Sequence, residues 1–240
     1  MKKIVLFSVL FLALGLAATL YFGQADLTGS SSEAVAQGQF GADYIGSEAC
    51  GECHTETFEV FMQFGHPWKL NKVVDGQPPE YPFTEEPEPP EGVTWDDVAY
   101  VIGGYNWKAR FIGQDGFIIT GDEDATTQYN FANPVVGNDA GWVAYHAGEE
   151  KPYDCGTCHT TGYKPEGNQD DLPGLIGTWE EDGVGCEACH GPGSLHMDNP
   201  YGVALKVDRH SAECGDCHRR GPVEAVDASG GFIKHHEQYE

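Results

Sequence analysis

The sequence predicts a mostly irregular chain with short α-helices and one small β-hairpin, wrapped around prosthetic groups. Three observations predict it. There are 32 glycines and 14 prolines among 240 residues, and few stretches hold a helical or strand period. All eight cysteines fall in four C-x-x-C pairs, and each pair is followed at once by a histidine. One segment, about 93–121, carries runs of β-formers around an Asp-Gly turn.

The pairs come first. Cys50/Cys53 precede His54, Cys155/Cys158 precede His159, Cys186/Cys189 precede His190, and Cys214/Cys217 precede His218. C-x-x-C-H is the attachment signature of c-type haem. Two thiols add across the two vinyl groups of the porphyrin, so they must be one short loop apart. The next residue then gives its imidazole to the iron. Four-thiolate zinc sites explain paired cysteines but not a histidine after every pair. Thioredoxin-like motifs do not explain four copies, and disulfides leave the histidines unexplained. The predicted class is therefore a multihaem cytochrome c with four covalent haems (Fe). Their apolar macrocycles supply much of the surface that the chain buries.

Along the chain, Met1-Lys2-Lys3 and the apolar run Ile4–Phe22 read as an export signal over 1–25. It extends to 36 if Ala34-Val35-Ala36 is the cleavage site, and an uncleaved anchor is the alternative. Residues 26–42 read as a Gly/Ser/Gln-rich linker, and 43–240 as the tetrahaem domain. A helix is expected from Ser47 to Phe64, capped by Ser47 and ended by Gly65. Residues 76–92 are proline-rich and acidic, an extended loop. VAYVIGG, WKARFIG and FIITG, with Gln114-Asp115-Gly116 between the last two, form the haem-free β-hairpin insertion at about 93–121. The other three motifs crowd into 155–218, so their haems should be close together.

The net charge of −25 argues against nucleic acid, which needs basic patches. It suits a soluble or surface-displayed carrier that meets cationic partners.

Closing four irons requires four distal ligands. Six histidines remain: His66, His146, His196, His210, His235 and His236, with Met62 and Met197 as the only methionines past the signal. Histidine supply exceeds need, so bis-histidine ligation is the economical reading. His66 lies twelve residues beyond His54, about 18 Å of helical rise, so it should serve another haem. His196 follows His190 across a Gly-Pro-Gly bend, with five intervening residues that reach at most about 20 Å. Passing around its own porphyrin is tight. The expectation is that His190 holds its own haem and His196 closes a neighbouring one. His146 and one or both of His235 and His236 complete the candidate ligands.

GSEACGECH with the following GHP, CEACHGPGSLH, and the closing GFIKHHEQY resemble the tetrahaem cytochrome c family whose founder accepts electrons from hydroxylamine oxidoreductase. GYNWKARFIGQDGFIITG and QYNF bring the chain nearer to OmcE-like subunits of extracellular cytochrome filaments. The similarity runs from about Asp43 to the end. It implies bis-histidine haems stacked in parallel and T-shaped pairs, continuous from subunit to subunit. It also implies that a histidine of one subunit can ligate a haem of its neighbour, as in a homopolymer. In the founding family one haem lacks a distal ligand; the histidine supply here would allow all four to be closed.

The expected function is electron transfer without chemistry at a substrate, so not an enzyme. The chain is expected to be secreted or at the cell surface, free of the membrane once the signal is removed. Redox proteins or extracellular acceptors are the expected partners. A discrete periplasmic carrier is the alternative. A small reductase is a further one; it needs an open haem, with Tyr163, Arg219 and Arg220 as candidate acid/base groups.

Overall fold

A computed structural model of the chain describes residues 41–85, 87–135, 137, 139–208 and 211–218. The expected signal, most of the linker, and His210, Arg219, Arg220, His235 and His236 lie outside the described residues.

The helix expected over 47–64 is two helices, α1 (Ser47–Cys53) and α2 (Thr55–Phe61). The break falls at His54, whose φ of −105° and ψ of 42° are not helical. Ser47 does not cap. Gly46 holds the cap position, and Ser47 is buried. Its hydroxyl donates to Glu181 Oε2 (3.0 Å) and accepts the N–H of Cys186 (2.9 Å). A tertiary contact has taken the group that local reasoning assigned to the helix end.

The expected hairpin is present as β2 (Val98–Gly103), β3 (Lys108–Gly113) and β4 (Phe117–Ile118). It is the centre of a seven-stranded antiparallel sheet. β1 (Leu70–Lys72) pairs with β2, and β7 (Lys151–Pro152) pairs with β4. β5 (Gln128–Asn130) pairs with both β3 and β6 (Gly141–Val143). These added strands are two or three residues long, too short for alternation to register as a pattern. The turn before β4 places Gly116 at φ +84°, where a side chain is strained. A Cβ there would also stand 2.8 Å from the Leu175 nitrogen.

Both faces of the sheet are covered. Leu70, Tyr100, Ile102, Ile112 and Ile118 pack with Tyr153, Leu175 and Trp179 on one side. Val98, Val101, Ala109 and Phe111 pack with Trp95, Tyr129 and Trp142 on the other. Val98 and Val101 share a face despite their odd spacing because the register shifts between Val98 and Tyr100.

After the sheet come α3 (Gly156–His159), β8 (Thr160–Thr161), β9 (Glu181–Asp182), α4 (Cys186–His190), α5 (Ser194–Asp198) and α6 (Ser211–His218). β8 and β9 pair antiparallel. Thr161, fully buried, donates to the Gly183 carbonyl (2.9 Å) and accepts the Gly185 N–H (2.8 Å). The end of the second motif is thereby tied to the approach to the third. Among the described residues no helix is long and apolar enough to cross a membrane.

Candidate haem-binding sites

Each C-x-x-C-H segment forms a helical turn. Cys50 and Cys53 lie in α1, Cys186 and Cys189 in α4, and Cys214 and Cys217 in α6; Cys155 caps α3, which holds Cys158. Residues three apart on a helix share a face, so each turn presents both sulfurs to one side. None of the eight is joined in a disulfide.

The fold brings the motifs together in twos. α1 packs on α4, and α3 on α6. Burial pushes the Cys50 thiol up to about 11, helped by the adjacent Cys186 and by the carboxylates of Glu187 and Glu181. A hydrogen bond with Cys217 holds the Cys158 thiol down and raises Cys217, which Cys189 is near enough to raise further. In a haem-loaded chain these sulfurs are thioethers and carry no proton. The neighbour relations remain: first motif beside third, second beside fourth, and third near fourth.

The histidines also meet in twos. His54 and His196 have ring centroids 6.4 Å apart and planes at 15°. His66 and His218 have centroids 5.9 Å apart and planes at 81°. An iron held by two imidazoles, at about 2 Å from each nitrogen, sets ring centroids about 6 Å apart. Both pairs fit that gap. Each joins a histidine that follows its cysteines to one from a distant part of the sequence. Among the described residues, no group of three or more His, Cys, Asp or Glu is gathered as for a bare ion.

Hydrogen bonds set the tautomers. His196 Nδ1 lies 2.6 Å from the Val203 carbonyl, and His190 Nδ1 lies 2.7 Å from that of Lys206. A ring that donates from Nδ1 leaves Nε2 bare for a metal. His146, at φ +49°, places Nδ1 2.8 Å from Glu149 Oε2 and its ring edge-on to Tyr145. As in His190 and His196, the Nδ1 contact leaves Nε2 bare. His66 is held below the usual imidazole range by burial, then by Lys69 and His218. The shift favours the neutral form, the one that ligates a metal.

The loop bearing His66 is pinned on three sides. Trp68 Nε1 donates to the Met62 carbonyl (2.9 Å), Tyr105 Oη to that of Gln63 (2.6 Å), and the Val184 N–H to that of His66 itself (3.0 Å). Tyr105 comes from the β2–β3 connection, so the sheet positions this histidine. Met197 is half exposed. Tyr163 lies on Gly156 in the second motif and donates weakly to the Ile176 carbonyl (3.4 Å).

Sequence reasoning missed the residues that tie the motifs to one another: Ser47, Thr161, Glu181 and Glu187. Their partners lie up to 142 positions away, and no local spacing signals them.

The sequence profile of the family described as "Cytochrome c554 and c-prime" matches residues 137–191, a stretch holding His146 and the second and third motifs. The fold resembles that of the outer cell wall cytochrome OcwA, with TM-score 0.52 and 24% identity over 79% of this chain and 40% of that one. The undecahaem cytochrome from the S-layer of Carboxydothermus ferrireducens matches with TM-score 0.48 and 25% identity, over 74% of this chain and 25% of that one. The octahaem sulfite reductase MccA of Wolinella succinogenes matches with TM-score 0.44 and 19% identity, over 76% and 36%. No curated protein matches. The chain is thus similar to multihaem c-type cytochromes in its attachment motifs, in the stretch 137–191 and in its fold. The chain spans only a quarter to two fifths of the length of the solved structures it resembles.

Proposed function

We propose that this chain is an electron conduit that carries haem at all four C-x-x-C-H motifs and closes its irons with crossed histidines. His196 is the distal ligand of the iron held by His54, and His66 that of the iron held by His218. The observation that carries the proposal is the ring geometry of those two pairs, 6.4 and 5.9 Å between centroids. Crossed ligation ties one attachment segment to another and so fixes the spacing on which electron transfer depends. The covalent haem c groups supply the redox change. The chain's own residues hold them and select the tautomers.

At the two irons so closed no position is left for substrate, which supports a carrier over an enzyme. The N-terminal run and haem attachment outside the cytoplasm support export to the periplasm or cell surface. The histidines near the C-terminus, His235 and His236, are candidates to ligate a haem of a neighbouring copy. That arrangement makes the chain a subunit of an extracellular filament, passing electrons to redox proteins or extracellular acceptors.

Mass spectrometry of the mature protein should show four added porphyrins. His66→Ala and His196→Ala should each convert one haem from low-spin to high-spin while leaving haem content unchanged. A chain without porphyrin, or variants with unaltered spectra, would refute the assignment. Electron microscopy of material sheared from cells tests the filament; only discrete particles would leave a soluble carrier.

A further inference from the structure

Glu187 stands between the two cysteines of the third motif and is 2% exposed. Burying a carboxylate is costly unless its oxygens are filled. Here they are filled by backbone. The N–H of Ile45 lies 3.1 Å from both oxygens, that of Gly46 2.8 Å from Oε2, and that of Gly193 2.7 Å from Oε1. The donors come from two segments. Ile45 and Gly46 lead directly into α1, which ends at Cys53, with His54 next. Gly193 leads directly into α5, which carries His196.

Other contacts complete the junction. Asp43 N–H donates to Ser194 Oγ (2.8 Å), and Ser194 N–H to the Asp43 carbonyl (3.2 Å). Gly193 is closely enclosed: a Cβ there would come 3.0 Å from Ile45 Cδ1 and 3.2 Å from Glu187 Oε1, so both side chains would have to shift. The two segments joined by this carboxylate are the ones that deliver the two rings of the His54–His196 pair.

We infer that Glu187 is a positioning residue for the iron between His54 and His196. It touches neither ring. It holds the starts of both ligand-bearing segments on one anion and so sets the distance and plane angle between the imidazoles. A contribution to general stability would act on all sites alike, whereas positioning acts on one. The inference rests on the ligand pairing proposed above.

The test compares Glu187→Gln with His196→Ala in the full haem-loaded chain, by porphyrin mass, low-spin and high-spin absorption and paramagnetic resonance, and carbon monoxide binding to the reduced protein. Glu187→Gln should keep porphyrin at every motif and gain high-spin character and carbon monoxide binding at one additional site per chain. The altered haem should be the one altered by His196→Ala. If His196→Ala changes the spectra and Glu187→Gln does not, the positioning role is refuted and the pairing stands. If His196→Ala itself changes nothing, the pairing fails first. If Glu187→Gln is not recovered with haem, Ser194→Ala removes the parallel hydroxyl contact and leaves the carboxylate in place. It should give a weaker form of the same single-site change; a change at every site, or none, overturns the inference.

Discussion

The sheet and the motif helices are built on different terms. In the sheet, Val98, Val101, Ala109, Phe111 and Ile112 are wholly buried against other side chains. In α2, no residue is buried, and Val60 and, just beyond the helix, Phe64 are 54% and 56% exposed. The sheet is an apolar core, closed on one face by Tyr153, Leu175 and Trp179 from the chain around the second motif. The motif half is joined by hydrogen bonds to backbone groups, at Glu187, Ser47 and Thr161, and on the proposed reading by haem. The difference assigns the sheet a part in function although it carries no attachment motif: through Tyr105 it holds the loop that delivers His66.

The largest expected effect is on a chain matured without haem. Hydrogen exchange should show β2 and β3 still protected while α1, α4 and α6 lose protection, because porphyrin is a large share of the apolar surface the motif half can bury. Uniform loss across both halves would end the distinction. Next is Phe111→Ala, which removes a fully buried ring from the sheet and should cost about 3–5 kcal/mol in denaturant unfolding. The haem spectra of the folded variant should not change. Altered spectra would mean that the sheet core and the haem sites are one unit.

Tyr105→Phe probes the link between the halves. Losing the hydroxyl's bond to the Gln63 carbonyl should cost about 1 kcal/mol, and the low-spin signal of the haem proposed between His66 and His218 alone should shift. A shift at the His54–His196 haem instead would show that Tyr105 acts elsewhere.

The smallest effect is a pH dependence at the sheet margin. Burial raises the Asp170 carboxyl, but hydrogen bonds from Lys72 and Tyr100 more than offset it, and the net shift is downward. The folded chain therefore releases this proton more readily than the unfolded one. The contribution is fully present above the ordinary carboxylate value of about 3.9 and is lost as pH falls through the lower folded value. The Lys72–Asp170 pair is partly exposed, so a few tenths of a kcal/mol is expected. Glu181 and Asp182, raised chiefly by burial, act in the opposite sense: protonating them favours the folded chain. Melting temperatures of Asp170→Asn and the unaltered protein should converge as pH falls from 5 to 3. A constant gap would place the effect in packing.

The halves also differ in how far they could be read from sequence. The β2–β3–β4 core was legible because long runs of β-formers flank an Asp-Gly turn, whereas the short strands β1, β5, β6 and β7 exist only because β2, β3 and β4 offer them edges. The helix over 47–64 looked continuous because the break at His54 leaves no local signal.

The sequence by itself determined the attachment chemistry, since two thiols and an imidazole within five positions are a local matter of spacing. It also made ligation of their own nearest irons by His66 and His196 awkward, because chain reach is a property of length. Only the tertiary structure decided which histidine faces which. His54 and His196 are brought together by contacts more than 130 residues apart in sequence, and His66 is held for His218 by Val184 and by Tyr105 of the sheet; such closure is set by packing that no short stretch of chain encodes.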